Sequence, residues 1–119
     1  MAKSGYITYQ GQEILFYDHS GLRGKDLLNS LKEANQIVLN APHSRTLFLA
    51  DFSNTYIDSE IMAYLSSDEE KAATKKIRKT AAVGVSGIKK IFLNTYNTIT
   101  QSGARAFDDL ESAKQYLVS

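Results

Sequence analysis

Cysteine is absent from the 119 residues. This excludes disulfides, thiol nucleophiles and thiolate metal sites, and it fits a chain with no need of an oxidising compartment. There is one proline, Pro42, and no low-complexity tract or internal repeat, so nothing marks a linker and residues 1–119 read as a single domain. Net charge is nearly absent: 14 Lys and Arg stand against 13 Asp and Glu, giving +1. Such a chain has no global field to draw in nucleic acid or an anionic membrane. No apolar run approaches the length that spans a bilayer, and residues 1–6 hold no apolar signal core, so the expected address is the cytoplasm. The only histidines, His19 and His43, have no carboxylate at ligand spacing, and neither a metal site nor a cofactor is expected.

What is present specifies an α/β fold. Hydrophobic residues are 43% and charged residues 23% of the chain, the balance of a globular domain able to build its own core. Tyr6-Ile7-Thr8-Tyr9 and Ile14-Leu15-Phe16-Tyr17 are β-branched and aromatic runs joined by Gln10-Gly11-Gln12-Glu13, a hairpin pattern. From Gly24 to Leu39, Leu27, Leu28, Leu31, Ala34, Ile37 and Val38 recur at steps of three and four. Lys32, Glu33, Asn35 and Gln36 fall between them, which predicts an amphipathic helix. Leu47-Phe48-Leu49-Ala50 reads as a central strand covered on both faces.

Asp58 and Ser59 offer capping oxygens to a second helix carrying Ile61, Met62 and Leu65. Ser67 and Glu70 have capping-box spacing, so this helix is expected to bend, restart near Ser67 and run to Lys76 or beyond. Ala81-Ala82-Val83-Gly84-Val85 is a buried strand, and Ser86-Gly87 opens a helix through Ile88, Ile91, Phe92, Tyr96 and Ile99. Ala104-Arg105-Ala106-Phe107 is a short edge strand. Asp108 and Glu111 cap a last helix carrying Leu110, Ala113, Tyr116 and Leu117. The resulting order, ββαβαβαβα, calls for right-handed crossovers and a mixed five-stranded sheet with four to five helices.

That order and two local strings resemble the STAS domain family of anti-sigma-factor antagonists. The first string is Tyr56-Ile57-Asp58-Ser59-Glu60-Ile61, in which Ser59 falls where those antagonists carry their phosphorylated serine. Glu60 and Ile61 stand where the family has a small residue and then glycine, so a carboxylate sits beside the hydroxyl. The second string, Ala81-Ala82-Val83-Gly84-Val85-Ser86-Gly87-Ile88-Lys89-Lys90, is similar to a branch of small, stand-alone STAS-like bacterial proteins of unassigned activity. The resemblance implies a regulatory module that docks a protein partner, such as an anti-sigma-type kinase, through Asp58, Ser59 and Glu60.

Each candidate site also has a plainer explanation. A phosphate on Ser59 would meet free N–H groups at a helix start, yet serine and aspartate commonly do no more than cap. Gly84, Ser86 and Gly87, with Lys89, form a candidate anion site at the carboxyl edge of the sheet; two glycines also suffice for a tight turn capped by Ser86. Lys75, Lys76, Arg78 and Lys79 are the one dense basic run, and Asp68, Glu69 and Glu70 balance them, as at a solvated helix end. Asp18-His19-Ser20 holds the residue types of a hydrolytic triad, but neighbours in sequence rarely converge on one atom, and a strand-end turn accounts for them. Tyr56, Tyr64, Phe92 and Tyr96 frame an apolar pocket or pack a core. Two functions follow. One is the regulatory, protein-docking module; the other is a domain that binds a small molecule, nucleotide or lipid. No convergent catalytic groups are visible, so an enzyme is not expected.

Overall fold

The structure, a computed structural model, describes residues 4–119. Residues 1–3, the start of the stretch read above as lacking a signal core, lie outside the described residues. Strands β1 (Gly5–Tyr9) and β2 (Gln12–Asp18) form the expected hairpin, with Tyr9 opposite Gln12. Its turn is Gln10-Gly11, both at positive φ, the two-residue geometry whose twist matches that of the strands. Three parallel strands follow: β3 (Thr46–Asp51), β4 (Ile77–Val83) and β5 (Arg105–Phe107), and the spatial order is β1-β2-β3-β4-β5. The sheet is therefore mixed, with one antiparallel edge pair.

That order decides where the helices go. Each parallel strand is added on the same side of the one before, and right-handed crossovers that all step one way must lie on one face. Helix α1 (Gly24–Asn40), the pair α2 (Ser59–Leu65) and α3 (Asp68–Thr74), and α4 (Ile88–Thr100) are those crossovers. Leu15, Tyr17 and Phe48 meet Ala34 and Val38 of α1 and Ala73 of α3 on this face. Helix α5 (Leu110–Val118) follows the last strand and covers the other face, where Ala113 and Leu117 pack on Ile14, Phe16, Leu47 and Leu49. Alternation along each strand thus feeds two separate cores. Full burial of Leu15 on one face and Leu49 on the other contributes about 1.5–3 kcal/mol each.

The bend between α2 and α3 is present. Ser66 closes α2, and the Ser67 hydroxyl accepts from Glu70 N at 3.3 Å to start α3. Four expectations need correction. The basic run does not extend a helix: α3 ends at Thr74, and Arg78 and Lys79 lie in β4, whose pairing with β3 begins at Thr46 and Ile77. Sheet pairing outweighs the charge pattern here, and the Lys76 ammonium turns back to the carbonyls of Leu39, at 3.0 Å, and Ala41 at the end of α1. Strand β4 accordingly begins and ends earlier than its apolar run suggests, and it stops before Gly84. Gly87, not Ser86, occupies the cap position of α4, with no side-chain cap bond. Helix α5 is capped by Asp109, which accepts from Ser112 N at 2.7 Å, in place of Asp108; Glu111 instead accepts from the Tyr9 hydroxyl.

Gly84 holds β4 against the loop after β3. Its φ is +74°, and a Cβ there would stand 2.3 Å from the backbone nitrogen of Ser53. Gly21 has nearly the same φ, +75°, with open space around its absent side chain. Gly84→Ala is therefore expected to destabilise more than Gly21→Ala by at least about 1 kcal/mol, because strain is common to both and the clash is not. Urea unfolding midpoints of the two variants check this, and equal losses would contradict it.

Candidate functional site

Helix α4 covers the sheet without packing tightly onto it. Thr100 is its single buried residue, while Ile88 is 66% and Ile91 62% exposed. Its C-terminal end is tied down by Asn97, whose amide donates to Ala104 O and accepts from Ala104 N, both at 2.9 Å. Beneath the helix, Ala50, Ala82 and Ala104 present side chains too short to reach it, and a cavity of about 100 Å³ results. Phe92, Leu93 and Tyr96 form the roof, Phe48 part of the floor, and Leu31 and Met62 the flank.

One end of this space is closed by a hydrogen-bonded carboxylate. Glu70 of α3 is 7% exposed; Asn35 of α1 donates to its Oε1 at 2.7 Å and the Tyr96 hydroxyl of α4 to its Oε2 at 2.6 Å. The Asn35 amide also donates to the Tyr64 hydroxyl of α2 at 2.8 Å, and that hydroxyl donates to Glu69. Burial pushes the Glu70 carboxyl above the usual range, and the bonds from Asn35 and Tyr96 partly oppose it. Burial, with the Glu70 carboxylate alongside, also raises the Tyr96 hydroxyl.

The other end lies at the carboxyl edge of the strands. His19, directly after β2, is 1% exposed and stacks between Tyr17 and Phe52, with ring centroids 5.6 and 5.0 Å away. Its Nδ1 lies 2.7 Å from the Ser30 hydroxyl of α1. Lys89, in the first turn of α4, donates to Phe52 O at 2.9 Å and also lines the cavity. Burial holds the His19 imidazole neutral, lowering its pKa to about 4 against the opposing pull of Asp18 and Asp51.

The residues singled out in sequence fall in different places. Asp58 caps α2, accepting from Ile61 N at 2.9 Å, and this leaves Ser59 and Glu60 exposed at the helix start. Gly84 and Gly87 both take positive φ at the turn into α4 and Ser86 is exposed, while Lys89 reaches the carbonyl of Phe52, next to the Ser53 that Gly84 approaches, and also lines the cavity. Of the four aromatics, Phe92 and Tyr96 line the cavity, Tyr64 joins the polar cluster, and Tyr56 is exposed. Asp18 and Ser20 form the strand-end turn, with Asp18 Oδ1 accepting from Ser20 N at 3.0 Å, and His19 faces Ser30 instead. Lys79 donates to the carbonyls of Tyr116 and Ser119 at 3.1 and 2.7 Å, so part of the basic run is committed to α5.

Asn35 and Glu70 went unseen as site residues. Asn35 was assigned to the polar side of α1, although it lies four residues after Leu31 and three before Val38, a spacing that places it on the buried stripe. Glu70 reads in sequence as a capping partner of Ser67 and as part of the charge that balances the basic run.

Among the described residues, no group of three or more His, Asp or Glu is placed to hold a metal ion, and no helix is long and apolar enough to cross a membrane. Compared with family models, curated proteins and solved structures, the chain matches none of them. Its function is therefore argued from the geometry of the cavity.

His19 links stability to pH. Between its ordinary value of 6.5 and its folded value of about 4, the unfolded chain takes up a proton that the folded chain refuses. Stability contributed by the neutral ring is full above pH 6.5 and is lost as pH falls through that window, by about 3 kcal/mol in all. Glu70, whose folded pKa is raised, works in the opposite direction, so the comparison must be with a variant. His19→Phe is expected to flatten the acid-side fall in unfolding free energy; an unchanged slope would rule out His19 as its source.

Proposed function

We propose that this chain is a non-enzymatic binding module that takes up a small, largely apolar molecule in the cavity beneath α4. The cavity itself carries the reading: Ala50, Ala82 and Phe48 line its floor with Thr80, aromatic and leucine side chains form its roof, and its charged groups, Glu70 and Lys89, stand at its ends. Protein interiors are normally close-packed, and an apolar cavity of about 150 Å³ stays dry and binds benzene. A space of about 100 Å³ suits a single ring or a short chain and is too small for a full-length acyl chain. Helix α4 contributes no residue to either core, so its outward displacement for a larger ligand leaves both cores in place and strains the Tyr96–Glu70 hydrogen bond instead.

Benzene is the simplest probe. The native chain is expected to show saturable chemical-shift changes at Phe92 and Leu93 on titration with benzene, and Ala82→Leu, which fills the floor, to weaken that binding at least about tenfold. Equal responses in both proteins would refute occupancy of this cavity.

A second reading is favoured by one observation at α2. Asp58 performs the capping, so the Ser59 hydroxyl is exposed and uncommitted, with exposed Tyr56 nearby in sequence. That arrangement supports a STAS-like regulatory module which docks a protein partner around Asp58, Ser59 and Glu60 and is switched by phosphorylation. Mass spectrometry of the chain isolated from its own cells is expected, on this reading, to find phosphate on Ser59. Protein carrying none under every growth condition would eliminate the switch.

A further inference from the structure

The two ends of the cavity differ in what they leave unpaired. At the inner end Glu70 is satisfied: Asn35 and Tyr96 each donate to one of its oxygens, at 2.7 and 2.6 Å. A ligand group could bind there only by displacing those bonds.

At the strand-edge end two polar side chains keep hydrogen-bonding capacity to spare. Ser30 Oγ makes no hydrogen bond among the described residues other than the one to His19 Nδ1. With Nδ1 bound to Ser30, Nε2 is the ring nitrogen left for the cavity, and it donates in the tautomer in which Nδ1 accepts the Ser30 hydroxyl proton. Nε2 makes no hydrogen bond among the described residues, and His19 lines the cavity. Beside it, the Lys89 ammonium has three protons and one acceptor, the carbonyl of Phe52, whose ring packs on His19. The carboxylates nearest His19 are occupied elsewhere: Asp18 accepts from Ser20 N and Asp51 from Ser53 N, at 3.0 and 2.9 Å, and neither lines the cavity.

We propose that the ligand carries a carboxylate, seated between His19 Nε2–H and the Lys89 ammonium at the carboxyl edge of the sheet, with its apolar part running beneath α4 over Ala50 and Ala82. This rests on the cavity being a ligand site and adds to it the polarity and orientation of the ligand. A single ammonium and one imidazole N–H match the two oxygens of a monoanion, and the charge-assisted bonds form where little water competes. The small volume limits the apolar part to a short chain or one ring.

Hexanoate and hexanol, equal in chain length and different in head group, test this by calorimetry on the full chain at neutral pH. Hexanoate is expected to bind at least about tenfold more tightly, and Lys89→Met to erase that preference, so that the ratio of the two affinities falls to about one. Hexanoate, and not hexanol, is also expected to shift the His19 Nε2 proton resonance, a readout that needs no variant. Equal affinities in the native chain would overturn the carboxylate assignment and keep the cavity reading. A hexanoate preference that survives Lys89→Met, with the His19 resonance unmoved, would overturn it as well. Binding of neither compound would remove both readings.

Discussion

The position of α4 depends on one buried carboxylate. Glu70 stands in α3 and binds Asn35 of α1 and Tyr96 of α4, and Asn35 passes the connection to Tyr64 of α2. One cluster thus joins all the helices of one face. An unpaired carboxylate at this depth would cost several kcal/mol, so the bonds from Asn35 and Tyr96 are conditions for the fold as well as contributions to it. Removing either leaves a donor-hungry oxygen in the interior, and α4 has no buried apolar residue to hold it in place of the lost bond.

The cavity follows from that anchoring together with the composition of the sheet. Right-handed crossovers stepping one way place α4 over β4 and β5. The sheet residues beneath it include Ala50 and Ala82, with Thr80 preceding Ala82 in β4, whereas those beneath α5 on the other face include Ile14, Phe16, Leu47 and Leu49. The same sheet is tightly filled on one side and leaves room on the other. His19, Phe52 and Lys89 then gather at the carboxyl edge of the strands, the end at which open α/β sheets present ligand sites, because successive strand-end loops converge there.

Much of the fold was legible in the residues, and the reasons are physical. The alternating run at Tyr6 to Tyr9 and the three-four stripe of α1 reflect burial on one side of an element, and the unbroken apolar run Ile14 to Tyr17 reflects burial on both, which sequence records directly. The break between α2 and α3 was visible because Ser67 caps locally. Where several local signals compete, sequence was less informative: Ile77 to Lys79 carries two basic residues and still pairs with β3, a non-local preference with no local mark. The site was harder to see for the same reason. Asn35, Glu70 and Tyr96 come from three helices, as His19, Ser30 and Lys89 come from a loop and two helices, so neither set has a spacing to recognise. Lys89 reads in sequence as part of the glycine turn and His19 as part of a strand-end turn, and no spacing marks that both line one cavity.

The central claim is that the space beneath α4 is a real, accessible binding cavity. Crystals of the protein pressurised with xenon test it most directly, since xenon enters dry apolar cavities without needing a polar group. The account predicts a xenon atom between Phe92 and the alanine pair Ala50 and Ala82. Crystals in which that position stays empty, or in which α4 has collapsed onto the sheet, would contradict it.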